Sequence, residues 1–89
     1  MLKARVIKSK DCPRCTTYLA RLKQLKFEHL IYDTEKGDDK ELDKWKITEM
    51  PVVQIVDEEG KVHHQFPFVQ QGWSPRSIKH KIKELSDDN

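Results

Sequence analysis

Leu2, Ala4 and Val6 alternate with Lys3 and Arg5 at the start of the chain, the period-two pattern of a half-buried strand, and the alternation ends in KSKD at residues 8–11. From Cys15 the period changes. Tyr18, Leu19, Leu22 and Leu25 recur at spacings of three and four, while Arg21, Lys23, Gln24 and Lys26 take the other side, which predicts an amphipathic helix with one buried stripe. Phe27 to Asp33 (FEHLIYD) is short, aromatic and β-branched and closes on TEKGDD around Gly37, so a second strand is expected directly after the helix.

Asp38, with Glu41 three residues on, forms a capping-box-like start for a short helix that offers Leu42 and Trp45 to the core. Pro51 to Val56 (PVVQIV) is almost continuously apolar and too short for a helix, the pattern of a strand covered on both faces. DEEG then makes a tight turn. Val62, His64, Phe66 and Phe68 alternate with Lys61, His63 and Gln65, giving a fourth strand in a hairpin with the third; Pro67 lacks a ladder donor and belongs at an edge or strand end. In SPRS, Ser74 suits an N-cap and Pro75 the first helical position, after which Ile78, Ile82 and Leu85 continue one stripe and residues 86–89 form a frayed tail.

The order β-α-β-α-β-β-α predicts one α/β domain over residues 1–89, a four-stranded mixed sheet between helices. At 89 residues there is room for one core only. Seventeen basic and fifteen acidic residues alternate in sign along the chain, so charge order names neither nucleic acid nor membrane as a partner. The N-terminus lacks the apolar core of a signal peptide and no stretch is long enough to span a bilayer, so a soluble, cytoplasmic protein is expected.

Both cysteines fall in one short motif, Cys12-Pro-Arg-Cys15. In a reducing compartment such a pair is catalytic or metal-binding more often than a permanent disulfide. The motif sits where the first strand gives way to the first helix, with Pro13 pre-set for the first helical residue, so Cys12 lies near the N-cap and Cys15 in the first turn. Residues three apart there bring their side chains together within disulfide reach. The helix N-terminus favours a thiolate at Cys12; Lys10 and Arg14 push the same way and Asp11 pushes back. Cys15 faces the apolar stripe and is expected to stay protonated. That asymmetry suits thiol–disulfide exchange, with Cys12 as nucleophile and Cys15 as resolving thiol.

Two other readings stay open. C-x-x-C is also a zinc half-site, with His63 and His64 as conceivable ligands, but adjacent strand residues point to opposite faces and no metal site is expected. His29, His63, His64 and His80 read as surface or boundary histidines. The dithiol could also switch a binding surface instead of turning over. Lys79, Lys81 and Lys83 read as a solvated helix end favoured by the helix dipole.

Over residues 3–85 the chain resembles the glutaredoxins of the thioredoxin superfamily. The resemblance rests on the dithiol at a strand-to-helix junction, on the element order, and on TEMPVVQIV, which is similar to the family's segment with a cis proline opening the third strand. It implies that Pro51 is cis and faces the cysteines and that the Met50 backbone pairs with substrate; beside them Lys10, or Lys8, is within reach of a glycyl carboxylate and Arg14 adds positive charge that bears on substrate preference, so Lys10 and Arg14 are expected among the substrate-binding residues. It further implies a monomeric oxidoreductase acting on protein or small-molecule disulfides, with no bound cofactor and with glutathione as co-substrate. Departures bear on the reductant. Arg14 replaces the usual tyrosine, Ser9 stands between Lys8 and Lys10 where a basic residue is usual, and QQGWSPRS lacks the paired glycine and acid of the glutathione site. GWSPRSI around Trp73 is similar to the NrdH-redoxins, electron donors to ribonucleotide reductase recharged by thioredoxin reductase, which makes that enzyme the alternative reductant.

Overall fold

A computed structural model of the chain describes residues 1–36, 39–66 and 75–87. The elements are β1 (Lys3–Lys8), α1 (Pro13–Gln24), β2 (Leu30–Asp33), α2 (Asp39–Trp45), β3 (Val52–Val56), β4 (Val62–Gln65) and α3 (Pro75–Asp87). The four strands form one mixed sheet in the order β2-β1-β3-β4. β1 runs parallel to β2 and antiparallel to β3, and β3 and β4 form the hairpin. The α/β class and the mixed sheet agree with the sequence pattern.

Pairing assigns the faces. Ala4 lies opposite Ile55 and Val6 opposite Val53, and these four side chains meet Tyr18 and Leu22 of α1 and Ile78 of α3 in the main core. α1 and α3 therefore cover one face. On the other face lie Arg5, Ile7, Tyr32, Val52 and Gln54, where Trp45 of α2 meets Tyr32 and Arg5. β1 alternates as its pattern suggests, with Ala4 and Val6 buried and Lys3 and Arg5 partly exposed, and departs from it at Ile7, which is as inaccessible as Val6.

Four local expectations are corrected. Leu25 leaves the predicted stripe and is 55% exposed, because α1 ends in a left-handed turn at Lys26 (φ 56°). In that turn Lys26 N–H donates to Lys23 O and Phe27 N–H to Leu22 O, the bonding of a Schellman motif with lysine in the place glycine usually takes. The turn tucks Phe27 into the core as a loop residue, so β2 starts at Leu30, three residues later than its composition suggests. Strand four is likewise shorter: it ends at Gln65 after a bulge in which His63 is the unmatched residue, although Phe66 N–H still donates to Val53 O. α3 continues to Asp87, into the segment expected to fray.

α2 contributes less to the core than expected. Trp45 is half-buried and meets Tyr32 edge-on at 5.3 Å, with the Arg5 guanidinium 5.0 Å from its ring. A polar chain explains this placement. Gln65 Nε2 donates to Trp45 O, Gln54 Nε2 to Gln65 Oε1, and Arg5 Nε and Nη2 both donate to Gln54 Oε1 at 3.1 and 2.8 Å. Burial lowers the Arg5 pKa, with the charges of Tyr32 and Glu41 opposing it. Leu42 is also half-buried and stands outside the main core. Expectations for Gly37, Asp38, Pro67, Phe68, Trp73 and Ser74 lie outside the described residues. Among the described residues no helix is long and apolar enough to cross a membrane.

The β3–β4 turn is organised by Asp57. Its Oδ1 accepts from Glu59 N–H and Lys61 N–H, and its Oδ2 lies 2.9 Å from His63 Nε2. The His63 bond, followed by the backbone bonds, holds the carboxyl below its ordinary 3.8, at about 2.

Two predictions follow from this packing. Leu22, fully buried, and Leu25, 55% exposed, come from one predicted stripe. Leu22→Ala is expected to cost about 2–5 kcal/mol in urea unfolding and Leu25→Ala less than about 0.5 kcal/mol. Equal losses would contradict the helix end described above. For Asp57, a depressed folded-state pKa means that its contribution is complete above 3.8 and is lost as pH falls from there through about 2. A carboxyl titration by NMR should give a midpoint near 2 that rises towards 3.8 in His63→Ala.

Candidate dithiol site

The end of β1 delivers the chain to Ser9, Lys10 and Asp11, and Pro13 then decides where the helix begins. Proline has no N–H to lose and a φ already suited to the first helical position, so α1 starts there and Cys12 becomes the N-cap. Cys12 is extended (φ −126°, ψ 92°), and its Sγ accepts from the Cys15 N–H at 3.2 Å. The sulfur thus occupies the place of a serine or aspartate capping oxygen. Thr16 adds a bond from its N–H to Cys12 O at 3.1 Å and a second from Oγ1 at 3.3 Å.

Cys12 and Cys15 form a disulfide, with Cα atoms 5.2 Å apart. Cys15 is 1% exposed and Cys12 9%, so the edge of Cys12 is the part of the pair that meets solvent. Met50 closes the other side: its carbonyl oxygen lies 3.7 Å from Cys12 Sγ, a contact in the disulfide form because the sulfur carries no proton. Met50–Pro51 is a cis peptide, Pro51 is buried and Met50 half-buried. The structure thus brings Cys12, Cys15, Met50 and Pro51 together, while Lys10, Asp11 and Arg14 stand exposed around them.

In the reduced state two dipoles would act on Cys12 Sγ. The Cys15 N–H and the helix N-terminus favour negative charge, and the Met50 carbonyl opposes it. The amide is nearer, 3.2 against 3.7 Å, and no acidic residue occupies the first turn, so the helix wins and the arrangement suits a thiolate.

Lys8 and Lys10 separate. Lys8 lines an open groove with Ile31, Tyr32, Asp33 and Lys36 along β2, whereas Lys10 stays in the loop beside Cys12. The histidines considered as zinc ligands lie elsewhere. His63 is bound to Asp57 at the end of the sheet remote from Cys12, and His64 meets Phe66 edge-on at 4.7 Å. Among the described residues no group of three or more His, Cys, Asp or Glu side chains is placed to hold a metal ion. Thr16 is the participant that sequence reasoning missed; a threonine four residues after an N-cap was the available signal. The chain matches no model of a known protein family, and no curated protein matches it.

Alkylation of the fully reduced protein tests the asymmetry. Iodoacetamide should modify Cys12 first, with a pH midpoint below the roughly 8.5 of a free thiol, and leave Cys15 protected. Mass spectrometry locates the adduct; equal labelling of both cysteines would contradict the geometry.

Proposed function

We propose that the chain is a small thiol–disulfide oxidoreductase of thioredoxin-like fold, glutaredoxin-like in its dithiol site. One observation carries the reading: the two cysteines lie at the β1–α1 junction with Cys12 Sγ capping the helix and facing Met50 O. The element order, and the placing of α1 and α3 against one face of the sheet and α2 against the other, support it.

In this mechanism the Cys12 thiolate attacks one sulfur of a substrate disulfide, and the other sulfur leaves as a thiolate and takes up a proton. Cys15 then loses its proton and attacks Cys12 Sγ, which releases the second substrate thiol. The substrate disulfide gains two electrons and two protons, and the protein is left with the Cys12–Cys15 bond. Met50 and Pro51 form the wall against which an extended substrate lies, with main-chain groups supplying the bonds. Lys10 and Arg14 flank the entrance. Glutathione or thioredoxin reductase returns the pair to the dithiol, and the departures at Ser9 and in QQGWSPRS keep the second reductant in contention.

Turnover tests the proposal. With bis(2-hydroxyethyl) disulfide, NADPH and either glutathione plus glutathione reductase or thioredoxin reductase, the protein should give steady-state NADPH consumption. Cys12→Ser should abolish it, while Cys15→Ser should accumulate a mixed disulfide on Cys12 visible by intact mass. Absence of turnover with both reductants would reject the oxidoreductase and favour a switch.

A further inference from the structure

Charges that alternate along the chain segregate in the fold. α1 carries Arg14, Arg21 and Lys23 and no acidic residue, and α3 carries Arg76, Lys79, Lys81 and Lys83 against Glu84 and Asp87. These two helices lie on the same face of the sheet, joined through Leu22 and Ile78. Lys79 reaches towards the end of α1, its Nζ 5.7 Å from the Phe27 ring. Two acidic groups lie away from this face, Glu41 and Asp43 on α2 and Asp57, Glu58 and Glu59 at the turn remote from Cys12, while Glu28, next to Phe27, is paired with Lys3 and Asp11 and Glu49 adjoin Cys12 and Met50 in the chain. Residues 67–74, which precede α3, contain no charged side chain.

The cations of this face are available. Arg21, Lys23, Lys79 and Lys83 are exposed, and among the described residues none of them is held by a carboxylate. Glu84, by contrast, is already engaged by Lys81 at 3.4 Å. An incoming anion therefore breaks no ion pair at these four positions. The face is also continuous with the dithiol, because Cys12 caps α1 and Arg14 is the second residue of that helix.

We propose that the α1–α3 face is the docking surface for an acidic protein segment that carries the disulfide to Cys12. This rests on the oxidoreductase reading and names its substrate class. Arg21 lies nine residues along α1 from Cys12, roughly 14 Å at the helical rise, so at low ionic strength its charge acts within one screening length of the sulfur. Such fields raise association rates by about 10-fold or more and fade with salt. A protein segment fits better than nucleic acid, since among the described residues the aromatic side chains beneath this face, Tyr18, Phe27 and Phe66, are buried and offer no stacking platform.

The test uses the reduced full chain and three peptides with one disulfide core flanked by glutamate, glutamine or lysine, with bimolecular rates measured by stopped flow. At about 0.01 M salt the glutamate peptide should react about tenfold faster than the lysine peptide, and at about 0.3 M the gap should shrink below about twofold. Combining Arg21→Glu, Lys79→Glu and Lys83→Glu should reverse the order of the two charged peptides. One common rate at both salt concentrations would overturn the docking surface and leave the redox reading standing. No reaction with any peptide would remove both. Suppression of the glutamate-peptide reaction by stoichiometric duplex DNA would assign the face to phosphates instead.

Discussion

The antiparallel register of β1 and β3, with Ile7 opposite Val52, is the constraint on which the site depends. It sets the last turn of backbone before Cys12 against the first residues after Pro51, so two segments 38 positions apart meet at one sulfur. Side chains alternate along a strand, and a one-residue slip would exchange the two faces of β3. Val53 and Ile55 would leave the α1–α3 core, and Gln54, inaccessible to solvent, would enter it. The slip would also carry Met50 about 3.3 Å along the strand, the rise of one residue, and dissolve its contact with Cys12.

Within that frame the helix does the electrostatic work. Pro13 sets the start, the start makes Cys12 a cap, and the cap directs the Cys15 amide at the sulfur. Exposed charges add less at the sulfur itself. Lys10 and Arg14 oppose Asp11 in solvent, where screening is strong, whereas the amide acts at hydrogen-bonding distance. The surface cations therefore bear mainly on which partner arrives, and the buried amide on what Cys12 can do once it has arrived.

Those parts of the fold decided by neighbouring residues were legible in the sequence. Pro13 and the spacing of Cys12 and Cys15 located the dithiol, and the apolar run after Pro51 marked the central strand. What failed to show depended on distant partners. Leu25 and Phe27 share a hydrophobic pattern, yet the left-handed turn at Lys26 expels one and buries the other. The alternation from Leu2 to Val6 assigned no face to Ile7, whose burial follows from its pairing with Tyr32 and Val52 on the neighbouring strands. Trp45 looked like a core residue because its partners, Arg5, Tyr32 and Gln65, come from three different strands. Charge order alone did not reveal the cationic face for the same reason: signs alternate along the chain, and the packing of α1 beside α3 gathers the cations.

Gln54 connects these observations. A central strand made only of valine and isoleucine would tolerate a two-residue slip, since each face would still meet apolar neighbours. The amide removes that freedom. Its oxygen takes two bonds from Arg5 on one neighbouring strand, and its nitrogen bonds Gln65 on the other. A slip by two would place Val52 or Val56 opposite Arg5 and leave a buried amide unpaired, a cost of about 1–3 kcal/mol in addition to the uncompensated guanidinium. The polar chain on the α2 face thus holds the register on which the dithiol on the other side of Ile7 relies. An apolar residue at 54 could fill the same space, but it would give up the one contact in β3 that distinguishes the native alignment from its nearest face-preserving competitor.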